Sequence, residues 1–330
     1  MTVLDYIAPV LAFLISFAAL LGMIRFRPAW LPLDRPNTRS LHRDPVPRAG
    51  GMAILLGAGL GSAMVATWDI AWLAIALIPA AVSWTDDRRG VHAAVRFGAQ
   101  ILAAILFLLA SSHTPPWAML LLTVLGIAWI SNLFNFMDGS DGLAGGMAAI
   151  GFGCYAIAAW MAGHPQLSLV CWCLVAGSAA FLIFNFPPAR IFMGDVGSVP
   201  LGFLAATIGL FGWSEAIWPI WFPFLVFSYF TIDATVTLLR RVIRRERVWQ
   251  AHREHAYQRL IRSGWSHRRL ALISWGVMFL TGITALLLQG ESISVVTAGL
   301  GGWSIVYASL LIAVEVRWRR SSVARGNLSV

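Results

Sequence analysis

Residues 117–162 read WAMLLLTVLGIAWISNLFNFMDGSDGLAGGMAAIGFGCYAIAAWMA: two apolar runs, 117–134 and 144–162, on either side of a polar knot. A helix rises about 1.5 Å per residue, so each run comes close to crossing the roughly 30 Å hydrocarbon core of a bilayer. The knot holds two carboxamides, Asn132 and Asn135, and two carboxylates, Asp138 and Asp141, each pair three residues apart. If the backbone stays helical they share a face, and the glycines among them let a ligand approach the backbone. An EF-hand loop is excluded, because its alternating oxygen ligands and terminal Glu are missing.

Apolar runs of this kind recur outward in both directions, near 4–24, 50–67, 70–85, 97–112, 167–184, 199–213, 217–238, 270–289 and 293–314. With 58% hydrophobic and 12% charged residues and a mean hydropathy of +0.74, ordinary globular burial cannot absorb the apolar surface. The reading is an all-α polytopic membrane protein of about eleven transmembrane helices. The first run lacks a positive start and a cleavage site, and Arg25 and Arg27 follow it, so it is read as a retained helix. Cys154, Cys171 and Cys173 fall inside apolar runs, as small core residues.

The net charge of +9 comes from 24 basic residues, all Arg. They are dispersed over short loops and form no soluble basic domain, which argues against nucleic acid as a partner. With a periplasmic N-terminus the loops alternate so that every Arg falls on the cytosolic side, and the C-terminus is cytosolic too. One integral-membrane domain, 1–330, is expected, with cytosolic loops at about 25–49, 86–96, 135–143, 185–198 and 239–269. The last of these is expected to carry an amphipathic or re-entrant helix, and its arginines favour anionic lipid headgroups.

Chemistry-bearing residues sit in those loops. Asp86-Asp87-Arg88-Arg89 closes the third run, and paired carboxylates suit a hard cation and phosphate chemistry. Asn185-Phe-Pro-Pro-Ala-Arg190-Ile-Phe-Met-Gly194-Asp195-Val-Gly197-Ser198 enters the eighth run, where free amide groups at a helix start suit phosphate or metal. The loop after the first run carries Arg39, His42, Arg48, Gly50 and Gly51, and the long loop carries His252-Arg253-Glu254-His255-Ala-Tyr257-Gln258. Arginine forks match phosphate oxygens. Asp233, ionisable inside the ninth run, is a functional candidate by default. The acids on the opposite side, Asp5, Asp69, Glu215 and Glu291, form no comparable cluster.

The ordered set DDR, NxxNxxDGxDGL, PARxFMGDxGS and HxxH, from Asp34 to about Leu260, resembles the polyprenyl-phosphate N-acetylhexosamine-1-phosphate transferases. That family includes the phospho-MurNAc-pentapeptide transferase and the enzymes that start O-antigen and teichoic-acid chains. The resemblance implies a multi-pass enzyme of the bacterial inner membrane, dependent on Mg²⁺ (or Mn²⁺). Undecaprenyl phosphate would attack the β-phosphate of a UDP-N-acetylhexosamine and release UMP. It implies Asp86, Asp87 and His255 as catalytic groups and Asp195 with Asp87 as metal ligands. It places Asn135, Asp138 and Asp141 in the nucleotide and metal pocket, and a homodimer is allowed for; from the loop readings above, Asn132, Arg39, His42, Arg48, Arg190 and Arg253 join them as substrate-binding candidates. Two segments depart from the initiators' pattern: Arg39-Ser40-Leu41-His42 stands for RKxH, and His255-Ala256-Tyr257-Gln258 for HxHH. The second form looks like O-antigen initiators that handle 6-deoxy sugars, so UDP-FucNAc or UDP-QuiNAc is favoured over UDP-GlcNAc. The rival from another class is an ion-coupled transporter, which would need repeated halves and a midplane site.

Overall fold

The computed structural model describes residues 3–34, 45–65, 71–111, 117–247, 250 and 252–326. Among them the chain is helical almost throughout, with α1 (Val3–Phe26), α2 (Gly50–Ser62), α3 (Ala71–Arg89), α4 (Ala93–Ala110), α5 (Trp117–Phe136), α6 (Leu143–Met161) and α7 (Pro165–Asn185). There follow α8 (Asp195–Ser214), α9 (Trp221–Val226), α10 (Ser228–Ile243), α11 (Ala256–Arg262), α12 (His267–Leu287) and α13 (Ile293–Gly326). Two short strands, β1 (Leu33–Asp34) and β2 (Val46–Pro47), pair antiparallel with Leu33 opposite Pro47.

Eight of these helices, α1, α4, α5, α6, α7, α8, α12 and α13, are long and apolar enough to cross a membrane. The chain is a multi-pass membrane protein. The other three expected crossings also correspond to helices, but each departs from a plain span. α2 has 13 residues, α3 ends in Asp86-Asp87-Arg88-Arg89, and the run 217–238 is broken into α9 and α10 at Phe227. At that break the Ser228 hydroxyl donates to the Leu225 carbonyl at 2.6 Å, a local bond that competes with the helix ladder. Apolar pattern alone carries no mark of such a break. The helix expected within 239–269 is α11.

α6, α7 and α8 are the most buried spans and form the centre of the bundle, whereas α13 is largely exposed. Small residues set the spacing around them. A Cβ on Gly51 would stand 2.1 Å from the Gly197 Cα, so α2 and α8 meet backbone to backbone. Next to this contact, Phe192 N–H donates to Pro47 O (2.7 Å), Gly50 N–H to Phe192 O (2.8 Å) and Gly51 N–H to Met193 O (2.9 Å). This ladder stitches β2 and the start of α2 to the segment leading into α8. All three cysteines are buried and free.

Candidate active site

The first turn of α8 lies at the end of the bundle where these loops meet. Gly194 precedes it at φ +76°, a conformation that disfavours any side chain, and a Cβ there would sit 3.0 Å from an Asp87 carboxylate oxygen. Asp87 reaches across from the end of α3 and accepts the backbone N–H of Asp195 (3.4 Å) and of Val196 (3.1 Å). A helix start leaves such N–H groups unpartnered and carries a partial positive charge. Asp87 therefore caps α8 from a different helix, and its side chain is 1% exposed.

Arg48 joins this carboxylate to Asp195, and Arg96 joins Asp195 to Asp86. Arg48, just after β2, places Nε 3.3 Å from Asp87 Oδ1 and Nη2 2.5 Å from Asp195 Oδ1. Arg96, near the start of α4, bonds Asp86 Oδ2 at 2.6 Å and approaches Asp195 Oδ2 at 3.5 Å. Asp86 also accepts the Val91 N–H at 2.6 Å. Asn135 donates to Asp195 Oδ2 (3.3 Å) and accepts from the Ser198 hydroxyl (3.0 Å). Asp195 thus touches Arg48, Arg96 and Asn135 at once.

Negative charge is in surplus here. Burial pushes the Asp87 carboxyl up to about 7; Arg48 and the amides of α8 oppose the rise, and Asp195 adds to it. Asp138, which accepts the Gly194 N–H, is raised well above the usual carboxylate range by burial, with Asp195 and Asp87 adding to the effect against Arg48. Burial opposes the charge of Arg48, but Asp195 and Asp87 together more than offset it and hold its pKa above the ordinary value. The cluster is a set of hard oxygens around a cation, as phosphate and divalent-metal chemistry requires.

A second aspartate repeats the capping device beside it. Asp233 on α10 accepts the N–H groups of Ala256 (2.8 Å) and Tyr257 (3.2 Å) and so fixes the start of α11. This places His255, buried and stacked between His252 (4.9 Å) and Phe136 (6.1 Å), with Nδ1 3.7 Å from Asp233 Oδ1. The His252 pKa is lowered to about 4, chiefly by burial, then by His255 and Arg241. Tyr257 is 1% exposed, donates to Phe136 O at 3.0 Å, and fills the space over Gly139. Arg241 and Arg259 pair with Glu254, and Arg259 also with Glu315 of α13, which anchors the long loop.

Of the residues singled out in the sequence, Asp86, Asp87, Asn135, Asp138, Asp195 and Arg48 come together. Asn132 pairs instead with Gln100 of α4, behind the cluster. Asp141 does not share a face with Asp138, because α5 ends at Phe136 and Gly142 turns at φ +75°. It accepts the Ala189 N–H (3.1 Å) and lies 3.5 Å from His267. Arg190 lines a separate pocket beside α1 and stacks over Phe184. Arg253 is half-buried on the approach to α11, and its carbonyl accepts from Arg262. Arg39 and His42 lie outside the described residues.

Arg96 and His267 were not singled out by sequence reasoning. Arg96 did carry a signal, since a cation in the first turns of a helix opposes the dipole and needs an acid to hold it there. His267 carried none. Among the described residues, no three His, Cys, Asp or Glu side chains converge as a ready-made metal cage.

A multi-pass helical bundle that gathers aspartates and arginines at one helix start has the donors that membrane-embedded phosphate chemistry uses. Comparison with known proteins narrows the class. Residues 69–212 match the family described as Glycosyl transferase family 4. A Bacillus subtilis protein named as a probable undecaprenyl-phosphate N-acetylglucosaminyl 1-phosphate transferase is 30% identical over 280 residues, 79% of this chain and 78% of the relative. A phospho-N-acetylmuramoyl-pentapeptide-transferase of a Geobacillus species is 36% identical over 147 residues, 44% of each chain. One from Staphylococcus epidermidis is 29% identical over 220 residues, 61% of this chain and 67% of its own. The chain belongs to this family of phospho-sugar transferases, the polyprenyl-phosphate N-acetylhexosamine-1-phosphate transferases.

Proposed function

We propose that the chain transfers N-acetylhexosamine 1-phosphate from a UDP-sugar to undecaprenyl phosphate on the cytosolic face of the bacterial inner membrane, starting a lipid-linked glycan such as O-antigen. The observation that carries this reading is the convergence of Asp87, Asp138 and Asp195 with Arg48 and Arg96 at the start of α8. An oxygen of the lipid phosphate forms a bond to the β-phosphorus. The bond from that phosphorus to the bridging oxygen breaks, and UMP leaves with the electron pair. Two anions must meet, so the barrier is largely electrostatic, and fixed cations and oriented dipoles lower it.

Arg48 and Arg96 present N–H forks that suit phosphate oxygens, and Asp195, itself held by Asn135, keeps those forks in place. Asp87 is the carboxylate assigned to the acceptor phosphate, which it would orient or deprotonate, or it would itself attack the β-phosphorus in a covalent first step. The donor set fits Mg²⁺ (or Mn²⁺) in chemistry and in charge: Asp195 and Asp87 would hold it, sharing their oxygens with Arg48, and their surplus of negative charge is what a dication relieves. When bound, that ion supplies charge neutralisation to the diphosphate and the departing UMP. A radiolabelled transfer assay of purified protein with undecaprenyl phosphate and a panel of UDP-sugars tests the reaction. Full activity in excess EDTA rejects the metal, and absence of UMP release with every sugar rejects the transfer.

For the sugar we favour a 6-deoxy donor, UDP-FucNAc or UDP-QuiNAc, on the sequence His255-Ala256-Tyr257-Gln258. UDP-GlcNAc is the competing reading. It is supported by the name of the Bacillus relative and by the burial of Tyr257, whose ring is packed by protein and not open to a C6 methyl group. Comparison of kcat/KM for the three donors separates the readings, since a preference for UDP-GlcNAc rejects the 6-deoxy assignment.

The same proposal puts the N-terminus in the periplasm and the C-terminus in the cytosol. It requires α2, α3 and the α9–α10 pair to cross along with the eight long helices. Phosphatase fusions should be active near Gly163 and silent near Gln250 or Arg325. An active fusion at Gln250 overturns the orientation.

A further inference from the structure

A cavity of about 520 Å³ opens beside the end of α1, walled by Leu21, Ile24, Arg25, Arg27, Pro47 and Arg190. Its lining combines apolar side chains with three exposed arginines, Arg25, Arg27 and Arg190. Arg48, Arg96, Arg241 and Arg259 all meet carboxylates, whereas among the described residues Arg25, Arg27 and Arg190 meet none. Arg190 is steadied instead by the Phe184 ring, 5.6 Å away. Arg27 holds φ at +42°, a left-handed conformation that a non-glycine residue adopts at a cost, and it turns the chain just past the helix at this cavity.

α1 shows how a long apolar ligand would lie. Val10, Leu14 and Leu21 are 57%, 53% and 43% exposed. At 100° per residue they fall on one stripe, and Ile24 and Arg25 continue the same face. The stripe runs down the membrane-exposed side of the helix and ends at the guanidinium groups. Apolar length followed by positive charge that no described carboxylate meets is complementary to an acyl chain followed by a phosphate.

We propose that this cavity is a binding site for an anionic phospholipid of the surrounding bilayer. Its phosphate is held by Arg25, Arg27 and Arg190, and one acyl chain lies along Val10, Leu14 and Leu21. The site is distinct from the carboxylate cluster but shares a wall with it. Val46 and Pro47 line the cavity, and Arg48, the next residue, reaches Asp87 and Asp195. A bound lipid therefore braces the strand that carries the central cation of the active site. The lipid-binding claim does not depend on the identity of the sugar or of the acceptor.

The test uses the full chain in detergent after exchange through bilayers of phosphatidylcholine with or without phosphatidylglycerol, with retained lipid counted per protein by mass spectrometry. The variants are Arg25→Gln/Arg27→Gln and, as a control with the same charge change, Arg268→Gln/Arg269→Gln. The wild type and the control should retain phosphatidylglycerol over phosphatidylcholine. In Arg25→Gln/Arg27→Gln that retention should fall about tenfold or more. Equal retention of the two lipids, or an equal fall in both variants, overturns the site in favour of general surface charge. A third arm adds millimolar inorganic phosphate: undiminished lipid retention supports the proposal, and displacement of the lipid shows a soluble-phosphate site and overturns it.

Discussion

At one end of the bundle Asp87, Asp195, Arg48 and Arg96 interlock through charged hydrogen bonds around the start of α8. At the other end of the same helix, Trp218 stacks on Tyr155 with ring centroids 4.9 Å apart, donates to Gly209 O at 2.9 Å, and lies so close to Gly212 that no Cβ would fit. Both ends are well satisfied, but by different physics. Aromatic packing gains from burial and needs no particular charge state. A cluster of buried carboxylates held by half-buried guanidinium groups gains little net stability over an apolar substitute, which makes it a candidate for binding or chemistry. α8 is thus anchored by apolar packing at one end and by charge at the other.

The largest effect expected from breaking this contrast is at Asp195. Asp195→Asn keeps the shape but removes the charge that Arg48 and Arg96 share and that the proposed cation would share. Turnover should fall by more than about a thousandfold, the scale seen when preorganised charge is lost from an active site. Membrane insertion and thermal stability should stay near wild type. Retained turnover would mean that the charged end is structural after all.

Arg96 ranks next, since it binds Asp86 firmly and Asp195 only at 3.5 Å. Losing a charged hydrogen bond costs roughly 1.5–3 kcal/mol, so Arg96→Gln should lower kcat/KM by about ten- to a hundredfold. A loss of stability without a loss of kcat/KM would make Arg96 a brace of the α3–α4 corner and nothing more.

The far end should respond the opposite way. Trp218→Ala removes a buried ring, which in cores costs about 3–5 kcal/mol. The melting temperature should drop, while kcat per folded molecule stays within about twofold. A selective loss of kcat would show that the two ends are coupled through α8 and would break the comparison.

Much of this contrast was legible in the sequence, and the reasons it was only partial are local. Every apolar run corresponds to a helix, because apolar length survives any packing arrangement. The break at Phe227 was hidden, since the Ser228 side-chain bond to the Leu225 carbonyl across it is something no periodicity records. Asp86, Asp87, Asn135, Asp138 and Asp195 were found by their types and their places at helix ends. The shared face of Asp138 and Asp141 was conditional on a continuous helix, and α5 stops at Phe136, so spacing by three does not apply there. Asp233 was flagged as an intramembrane acid, yet its visible work is to cap α11, which only a partner helix could reveal.

α11 is the test of where the charged end stops, and the effect there should be the smallest. Tyr257 belongs to the HxxH segment that the sequence links to the sugar, but its ring is packed over Gly139 and its hydroxyl is spent on Phe136 O. Tyr257→Phe retains the ring and removes one buried hydrogen bond, leaving a carbonyl acceptor unpaired. Stability should fall by about 0.5–1.5 kcal/mol. The ratio of kcat/KM between UDP-FucNAc and UDP-GlcNAc should not move, because a hydroxyl directed at the backbone of the α5–α6 connection discriminates between no donors. His255 stacks on Phe136 from the same side, so a small rise in KM common to all donors is consistent with this packing role. A change in the donor ratio of tenfold or more would instead place the phenol within reach of the sugar. Tyr257 would then join the proposed substrate groups, and the boundary of the charged end would move out to include α11.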